Sequence, residues 1–323
     1  MKFLIIDDER SLYKAMFSDL INSSDKNISE VPIFSQMPRY LSVAKPMVFN
    51  DRINRHVWLP FKKTYDKYYS LTSYNFDKSE KYWVVMLNGT LNTHYSAEYI
   101  ARLKKEKPNV KFALIMYDHF GNRAARRVKK LLPFFDHVFS FDQGDCERYG
   151  LDHILATFSI PHDLKKDDNF KNTAEFVGRV DDREQLLEKV LTKIGDQVPN
   201  CRFHLVGVDK SKQKTKPYLH YYPVSYHDEL MLAYNSNCII EILKAGQNGI
   251  SLRTCEAIVF NKKLVTNNQS VKQLPYYNPN YIKVISNVDD VDVNFIKKVE
   301  NVEYNYDGLF SPYRIIEKLK TIG

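Results

Sequence analysis

The stretch IIEILKAGQNGISLRTCEAIVFNKKLVTNN, Ile239–Asn268, reads as a buried strand, a glycine-containing loop, a helix, a short turn and a second strand. The loop AGQNG ends at Gly249, and the helix after it opens at Ser251 and carries Arg253 and Glu256. A helix N-terminus presents unpaired N–H groups and a partial positive charge, so it suits a phosphate. Residues three apart share a helix face, so an arginine and a carboxylate sit side by side beneath that end. Together they suit a ligand with a diphosphate and a hydroxylated ring. The plainer alternative is a glycine-initiated helix with an intrahelical ion pair. The place of the motif between two buried strands is what strengthens the ligand reading.

The same alternation recurs on either side. FLIID (3–7) and YWVVML (82–87) are buried-type strands. After Asn88-Gly89-Thr90 comes a helix over 96–107, stopped by Pro108. The strand KFALIMY (111–117), a helix over 123–132, the strand HVFSFD (137–142), the short helix DCERYGL (145–151) and the apolar run ILATFSIP (154–161) follow. Short apolar strands alternating with amphipathic helices predict a parallel sheet with crossovers. No such alternation fits residues 20–50. HDLKKDDNFKNT (162–173) is polar, lacks periodicity and reads as a linker.

Beyond the linker the pattern restarts. AEFVG (174–178) is a strand, and 183–194 is a helix with Leu186, Leu187, Val190, Leu191 and Ile194 on one face. CRFHLVG (201–207) is a strand, and a loop rich in Lys and Tyr leads to a helix over 228–234 with Ser225 as its cap. YIKVIS (281–286) and two short helices close the chain. Two Rossmann-like halves on one linker is the simplest architecture. Ligands in such sheets bind beyond the carboxyl ends of the strands, which predicts a cleft between the halves.

The totals agree with two packed α/β units. The chain has 323 residues, is 44% hydrophobic, and has too little Gly and Pro to be disordered. Cys146, Cys201, Cys238 and Cys255 have neither CxxC nor metal-ligand spacing, and the last three lie in apolar stretches. They read as buried free thiols of a reducing compartment. MKFLIIDDER is too short in apolar residues for a secretion signal, and no apolar run spans a bilayer. The expected location is cytoplasmic, soluble or peripheral to the membrane. A net charge of +8 admits nucleic acid, anionic membrane or phosphorylated substrates. The basic residues cluster in NRAARRVKKLL (122–132), either a solvated helix face or a contact for anionic lipid. HVWLPFKKTYDKYYSLTSYNF (56–76) interleaves basic and aromatic residues, either as a membrane-interface loop or as a packed connection.

Four further constellations can be weighed. Gly178-Arg179 with Arg183 puts two guanidiniums at the carboxyl edge of a strand, where they can hold a diphosphate bidentately. The alternative is two surface arginines, one paired with Asp181 or Asp182. Asp118-His119, just beyond KFALIMY, offers a carboxylate and an imidazole able to take a proton from an attacking hydroxyl, or else a cap and a structural hydrogen bond. His94 is a weaker candidate of the same kind. Asp7-Asp8 with Asp51 and Lys104 falls near the pattern of a phospho-receiver domain, against the bland reading of a strand ending in solvated acids. Asp290-Val291-Asp292 has DxD spacing but precedes a helix, so a cap is expected there. No His, Asp or Glu cluster has metal spacing.

Strand-GR-x3-R-helix, strand-G, helix and then AGQNGISLRTCEAIVFNKKLVTNN resemble the C-terminal half of GT-B glycosyltransferases. They are most similar to bacterial enzymes that build capsular or lipopolysaccharide glycans. FDHVFSFDQGDCERYGL resembles the end of the N-terminal half of such enzymes. The likeness runs over roughly residues 110–270 and is poor over the first 80. It implies an α/β, GT-B fold: two Rossmann-like domains facing a central cleft. The expected division is an acceptor-side domain at 1–165, a nucleotide-sugar domain at 166–306 and, at 307–323, a helix returning to the first.

Carried over residue by residue, the resemblance makes Arg179 and Arg183, next to Gly178, contacts of the donor diphosphate. Gly249, Ile250 and Ser251 bring N–H groups to it, ahead of Arg253. Glu256 accepts the ribose hydroxyls, and Gly207 and Tyr226 flank the base. Many retaining members have two glutamates with seven residues between them. Glu256 matches the second, but Asn248 stands at the first. An inverting route instead brings Asp118 or His119 forward as the catalytic base. The resemblance implies no cofactor or metal, because cationic side chains and helix ends meet the leaving diphosphate. The implied partners are a nucleotide-sugar and a glycan or lipid-linked glycan acceptor at the inner face of the membrane, and no nucleic acid. A nucleotide-sugar epimerase of similar shape and a receiver-like signalling protein are the rival readings.

Overall fold

The computed structural model describes residues 1–7, 11–54, 57–121, 125–244 and 246–323. The chain divides into two compact units, Met1–Ser159 with Ser311–Gly323, and Ile160–Phe310.

Unit 1 is built on six parallel strands: β1 (Lys2–Ile6), β2 (Ile28–Val31), β3 (Tyr82–Leu87), β4 (Val110–Met116), β5 (His137–Ser140) and β6 (Asp152–His153), in the order β2-β1-β3-β4-β5-β6. Every residue of β3 is buried, as is all of β4 except Lys111, because both faces of a parallel sheet are covered. Helix α1 (Asn88–Thr93) leaves the end of β3, and α2 (Ala97–Glu106) is started by Ser96, whose hydroxyl accepts from the Tyr99 N–H. The C-terminal helix Tyr313–Ile322 belongs to this unit. Its Tyr313 hydroxyl donates to the Asp19 carbonyl and meets Ser23, and Lys318 Nζ donates to the His153 carbonyl.

Unit 2 has β7 (Asn172–Arg179), β8 (Cys201–Val206), β9 (Leu219–His220), β10 (Ser236–Glu241), β11 (Lys263–Thr266) and β12 (Ile282–Val284). All are parallel, in the order β12-β11-β10-β7-β8-β9. Counted within the unit this is 3-2-1-4-5-6, the Rossmann order, and the order reverses between β7 and β10. Three helices matter here: α3 (Glu184–Gln197), α4 (Tyr226–Tyr234) and α5 (Leu252–Val259). α3 buries Leu187, Val190, Leu191 and Ile194 at helical spacing. Ser225 caps α4, its hydroxyl accepting from Asp228 N–H. The polar segment before β7 is tied to unit 2 by Asn235, which accepts from Asp167 N–H and donates to the Lys165 carbonyl.

The structure corrects several expectations. Residues 20–50 do contain an alternation: a helix at Ser18–Ile21, β2, and a helix at Arg39–Val48. β2 is a four-residue edge strand, ISEV, with its two middle residues exposed, too short to leave a period. β9, two residues inside the Lys- and Tyr-rich loop, escapes for the same reason. The apolar run ILATFSIP buries Ile154, Ala156 and Phe158 outside the sheet, and Ser159 holds it by donating to the Met16 carbonyl. The helix expected at 123–132 appears as Arg126–Lys129, with a 3-10 turn at Leu132–Phe134; residues 122–124 lie outside the described residues.

Candidate functional site

At the reversal point of unit 2, β7 ends in Gly178-Arg179 and β10 ends in Glu241. Arg183 ties these ends together. Its Nε and Nη2 donate to the Arg179 carbonyl, at 3.0 and 2.7 Å, and its Nη1 donates to the Ile242 carbonyl. Burial holds this guanidinium below its ordinary pKa, while Asp181, Asp182 and Glu241 pull it back. Gly178 leaves it room, because a Cβ there would lie 2.9 Å from Arg183 Nη2 and 3.1 Å from the Phe176 ring. Arg183 therefore spends three of its N–H groups on backbone carbonyls.

Arg179 is two-thirds exposed, with Nε 3.5 Å from Asp181. Lys244, just beyond β10, holds the other oxygen of Asp181 at 2.6 Å. That contact, ahead of Arg179, keeps the Asp181 carboxyl below the usual carboxylate range. Gly207 follows β8 with φ +90°, a conformation that favours glycine, and it lies nearest to Arg179. Lys244 was not singled out by sequence reasoning, since a lysine in a loop carries no signal of its own.

Glu241 organises the loop that follows. It is buried, and it accepts from the hydroxyls of Ser251, Thr254 and Thr266. The Ser251 oxygen in turn caps α5, accepting from Arg253 N–H at 3.0 Å and Thr254 N–H at 3.4 Å. The carbonyl of Gly249 accepts from Asn268 Nδ2 and that of Asn248 from the Ser270 hydroxyl. In a planar trans peptide the N–H points opposite to the C=O. Both carbonyls face the loop after β11, so the N–H groups of Gly249 and Ile250 point away from it. Leu243 N–H is held by Asn267. An open depression of about 390 Å³ lies here, lined by Arg183, Lys244, Asn248, Asn267 and Ser270 among others. Ala245, within the loop, lies outside the described residues.

Glu256 and Arg253 lie beneath, paired at 2.5 Å on α5. Glu256 is fully buried, so the residue expected to meet ribose hydroxyls is instead engaged inside the unit. Arg253 also pairs with Glu229 of α4 and lies 3.6 Å from Glu175 of β7. One guanidinium thus faces three carboxylates. Burial, with Arg253 opposing it, pushes Glu175 up to about 7, and burial also drives Glu256 upward. Tyr226, expected beside a base, starts α4 next to this cluster; burial and then the Glu256 charge raise its phenol. Glu175, Glu229 and Glu241 were missed in the sequence. For Glu175 and Glu241 the signal was present: a glutamate inside an apolar strand must be buried and compensated.

In unit 1, Asp118 lies just past β4. Asn88, buried at the end of β3, donates to Asp118 Oδ2 at 2.8 Å and accepts from Tyr117 N–H at 3.0 Å. The His119 ring sits over Gly121, where a Cβ would meet it at 2.8 Å. His94 is stacked flat on Phe49, with ring centroids 4.5 Å apart. Of the receiver-like residues, the described ones have separate partners: Asp7, at the carboxyl end of β1, pairs with Lys14, whereas Lys104 pairs with Asp136, before the start of β5. Asp8 lies outside the described residues, as does the side chain of Asp51. Asp290 and Asp292 both cap helices. All four cysteines are free and buried. Among the described residues no His, Cys, Asp or Glu cluster suits a metal, and no helix is long and apolar enough to cross a membrane.

No family model and no curated protein sequence matches the chain. Solved structures do. HepE of Anabaena, in complex with UDP, is 11% identical with a TM-score of 0.53, covering 99% of this chain and 100% of its own. An alpha-glucosyltransferase in complex with UDP and mismatched DNA is 10% identical with a TM-score of 0.56, covering 100% and 99%. At such identity the likeness is one of fold. The chain has the α/β, GT-B fold, with two Rossmann-like units.

Proposed function

We propose that the chain is a glycosyltransferase that moves a hexosyl or pentosyl unit from a nucleotide-sugar to a hydroxyl of a bacterial surface glycan (capsule, lipopolysaccharide or exopolysaccharide) carried on lipid. The observation that carries this reading is the reversal point of unit 2. Exposed Arg179, Lys244, glycines at 178 and 207, and a loop with its Gly249 and Ile250 N–H groups turned from its anchors all belong to it. Anions bind at such strand ends and helix N-termini. The solved structures of like fold named above were obtained with UDP.

In the reaction, the bond from the sugar's anomeric carbon to the diphosphate breaks and the electron pair leaves with the diphosphate. A bond from the acceptor oxygen to that carbon forms, and the hydroxyl proton passes to a base. Arg179, Lys244 and the loop N–H groups meet the developing diphosphate charge, so the reading assigns no step to a metal. Arg183 positions the two strand ends. Ribose recognition by Glu256 requires it to exchange Arg253 for the sugar hydroxyls. For an inverting route Asp118 is the proposed base, because Asn88 fixes its orientation.

The test is a thermal-shift screen with UDP-, GDP-, CMP- and TDP-sugars, since a ligand of the folded state raises Tm. One nucleotide series should stabilise the wild type. Arg179→Ala should lose most of that shift and keep its own Tm. If no nucleotide-sugar shifts the protein, the reading fails. Conversion of the donor alone into another nucleotide-sugar would instead identify an epimerase. A nucleic-acid acceptor is the second reading, favoured by the net charge of +8; duplex DNA offered in place of a glycan separates the two.

A further inference from the structure

Between β2 and β3 none of the described residues of 32–81 belongs to a strand of the sheet. The helix Arg39–Val48 packs Leu41, Ala44 and Val48 against a small cluster with Phe49 and Tyr65. Its opposite face carries Tyr40, Val43 and Met47, at i, i+3 and i+7, with exposures of 71, 74 and 61%. Ile53, Val57 and Phe61 are exposed on the segment packed beside it. That segment is joined to the helix where Tyr65 donates to the Leu41 carbonyl and Asn54 to the Val48 carbonyl. Six of the ten exposed large apolar side chains among the described residues therefore lie within residues 40–61. Single exposed apolar residues are ordinary, but a helix apolar on both faces marks a surface that something covers.

Charge indicates what covers it. Residues 31–65 contain Arg39, Lys45, Arg52, Arg55, Lys62 and Lys63 against one acid, Asp51, which is +5 of the chain's +8. Arg39 and Lys63 are exposed. Lys62 is buried, with its ammonium 3.9 Å from the half-buried Trp58 ring, and Arg127 lies over the same ring at 4.8 Å. The basic helix that reads in the sequence as either a solvated face or a lipid contact is partly occupied elsewhere: Arg127 donates to the Asn92 carbonyl and Lys129 to the Tyr149 hydroxyl.

We propose that residues 39–54 and 57–63 of unit 1 form a docking surface for an anionic lipid bilayer. Tyr40, Val43, Met47, Val57 and Phe61 enter the headgroup boundary, and the exposed Arg39 and Lys63 stay among the phosphates. Nucleic acid would use the cations and gain nothing from Val43 or Met47. A second copy would bring one net-positive segment against another. The surface would meet a lipid-linked acceptor where it resides, yet it stands apart from the sugar-transfer reading, because a vesicle assay contains no donor.

The experiment is flotation of the full chain with vesicles of phosphatidylcholine alone or mixed with phosphatidylglycerol. Wild type should float with the mixed vesicles, far less with the neutral ones, and less as salt is raised. The double variant Val43→Glu, Met47→Glu should bind the mixed vesicles at least roughly tenfold more weakly. Its melting temperature should be unchanged, because both side chains are exposed. The proposal is overturned if wild type ignores phosphatidylglycerol vesicles or if the double variant floats as well as wild type. It is equally overturned if sedimentation shows a wild-type dimer that the variant makes monomeric, or if duplex DNA, and not vesicles, distinguishes the two proteins.

Discussion

Arg253 holds Glu256 at 2.5 Å, one turn apart on α5, and the same guanidinium serves Glu229 and lies 3.6 Å from Glu175. Burial dominates the carboxylates of this cluster, raising Glu175 from its ordinary 4.5 to about 7 and moving Glu256 the same way. A raised folded-state value means that the folded protein favours the protonated acid. The contribution to stability is complete below about pH 4.5 and is lost as pH rises through about 7. Glu175→Gln keeps the shape and removes the titration. Its stability by denaturant unfolding should match wild type near pH 5 and exceed it above pH 7, by on the order of 2–3 kcal/mol. A difference independent of pH would show that Glu175 is ionised throughout.

Ser251 links the cluster to the loop above it. Its hydroxyl donates to Glu241 and accepts from two N–H groups of α5, so one atom both caps the helix and satisfies a buried carboxylate. Ser251→Ala removes both functions. The cap is worth about 1 kcal/mol, and the lost donor to a buried charge about 1–3 kcal/mol more. Unfolding in urea should show a loss in that range. Nucleotide-induced stabilisation should weaken as well, because the loop loses an anchor. Ser251→Thr can keep both hydrogen bonds and should recover most of each effect.

Gly178 provides a test of the Arg183 brace. Gly178→Ala places a methyl group 2.9 Å from Arg183 Nη2 and 3.1 Å from the Phe176 ring. If the guanidinium makes room by leaving the carbonyls of Arg179 and Ile242, stability falls by about 1–3 kcal/mol. If the brace sets the phosphate-facing geometry, the variant loses nucleotide affinity beyond its loss of stability. An unchanged midpoint in denaturant would show that Arg183 adjusts freely.

Long apolar runs made the architecture legible. YWVVML matches β3 residue for residue, and Leu187, Val190, Leu191 and Ile194 announce the buried stripe of α3. β2 and β9 were not legible because four and two residues cannot establish a period. In the candidate site, the edge residues Gly178, Arg179, Gly207 and Gly249 could be picked out because strand ends and glycines are local signals. The pairing of Arg253 with Glu229 and Glu175 could not, although burial of Glu175 was signalled by its apolar strand. Glu229 lies on α4 and Glu175 on β7, and only the Rossmann order, which sets β7 beside β10, brings them to α5. Sequence spacing showed Arg253 and Glu256 as neighbours and gave no sign that they would be enclosed.

Asp118 carries the clearest kinetic prediction. It follows β4, and the buried amide of Asn88 grips one of its oxygens at 2.8 Å while the amide oxygen accepts from Tyr117 N–H. A carboxylate so oriented keeps its other oxygen in a defined direction, as a general base requires. Asp118→Asn preserves volume and abolishes proton acceptance, so kcat should fall by roughly 10²–10⁴-fold with nucleotide affinity nearly unchanged. His119→Gln should have a much smaller effect. Asn88→Ala acts through Asp118: it should lower kcat less than Asp118→Asn and leave nucleotide affinity unchanged, a split that a merely structural loss would not give. If Asp118→Asn retains wild-type kcat, the acceptor proton goes elsewhere, and a retaining route, which makes no demand on Asp118, becomes the one to pursue.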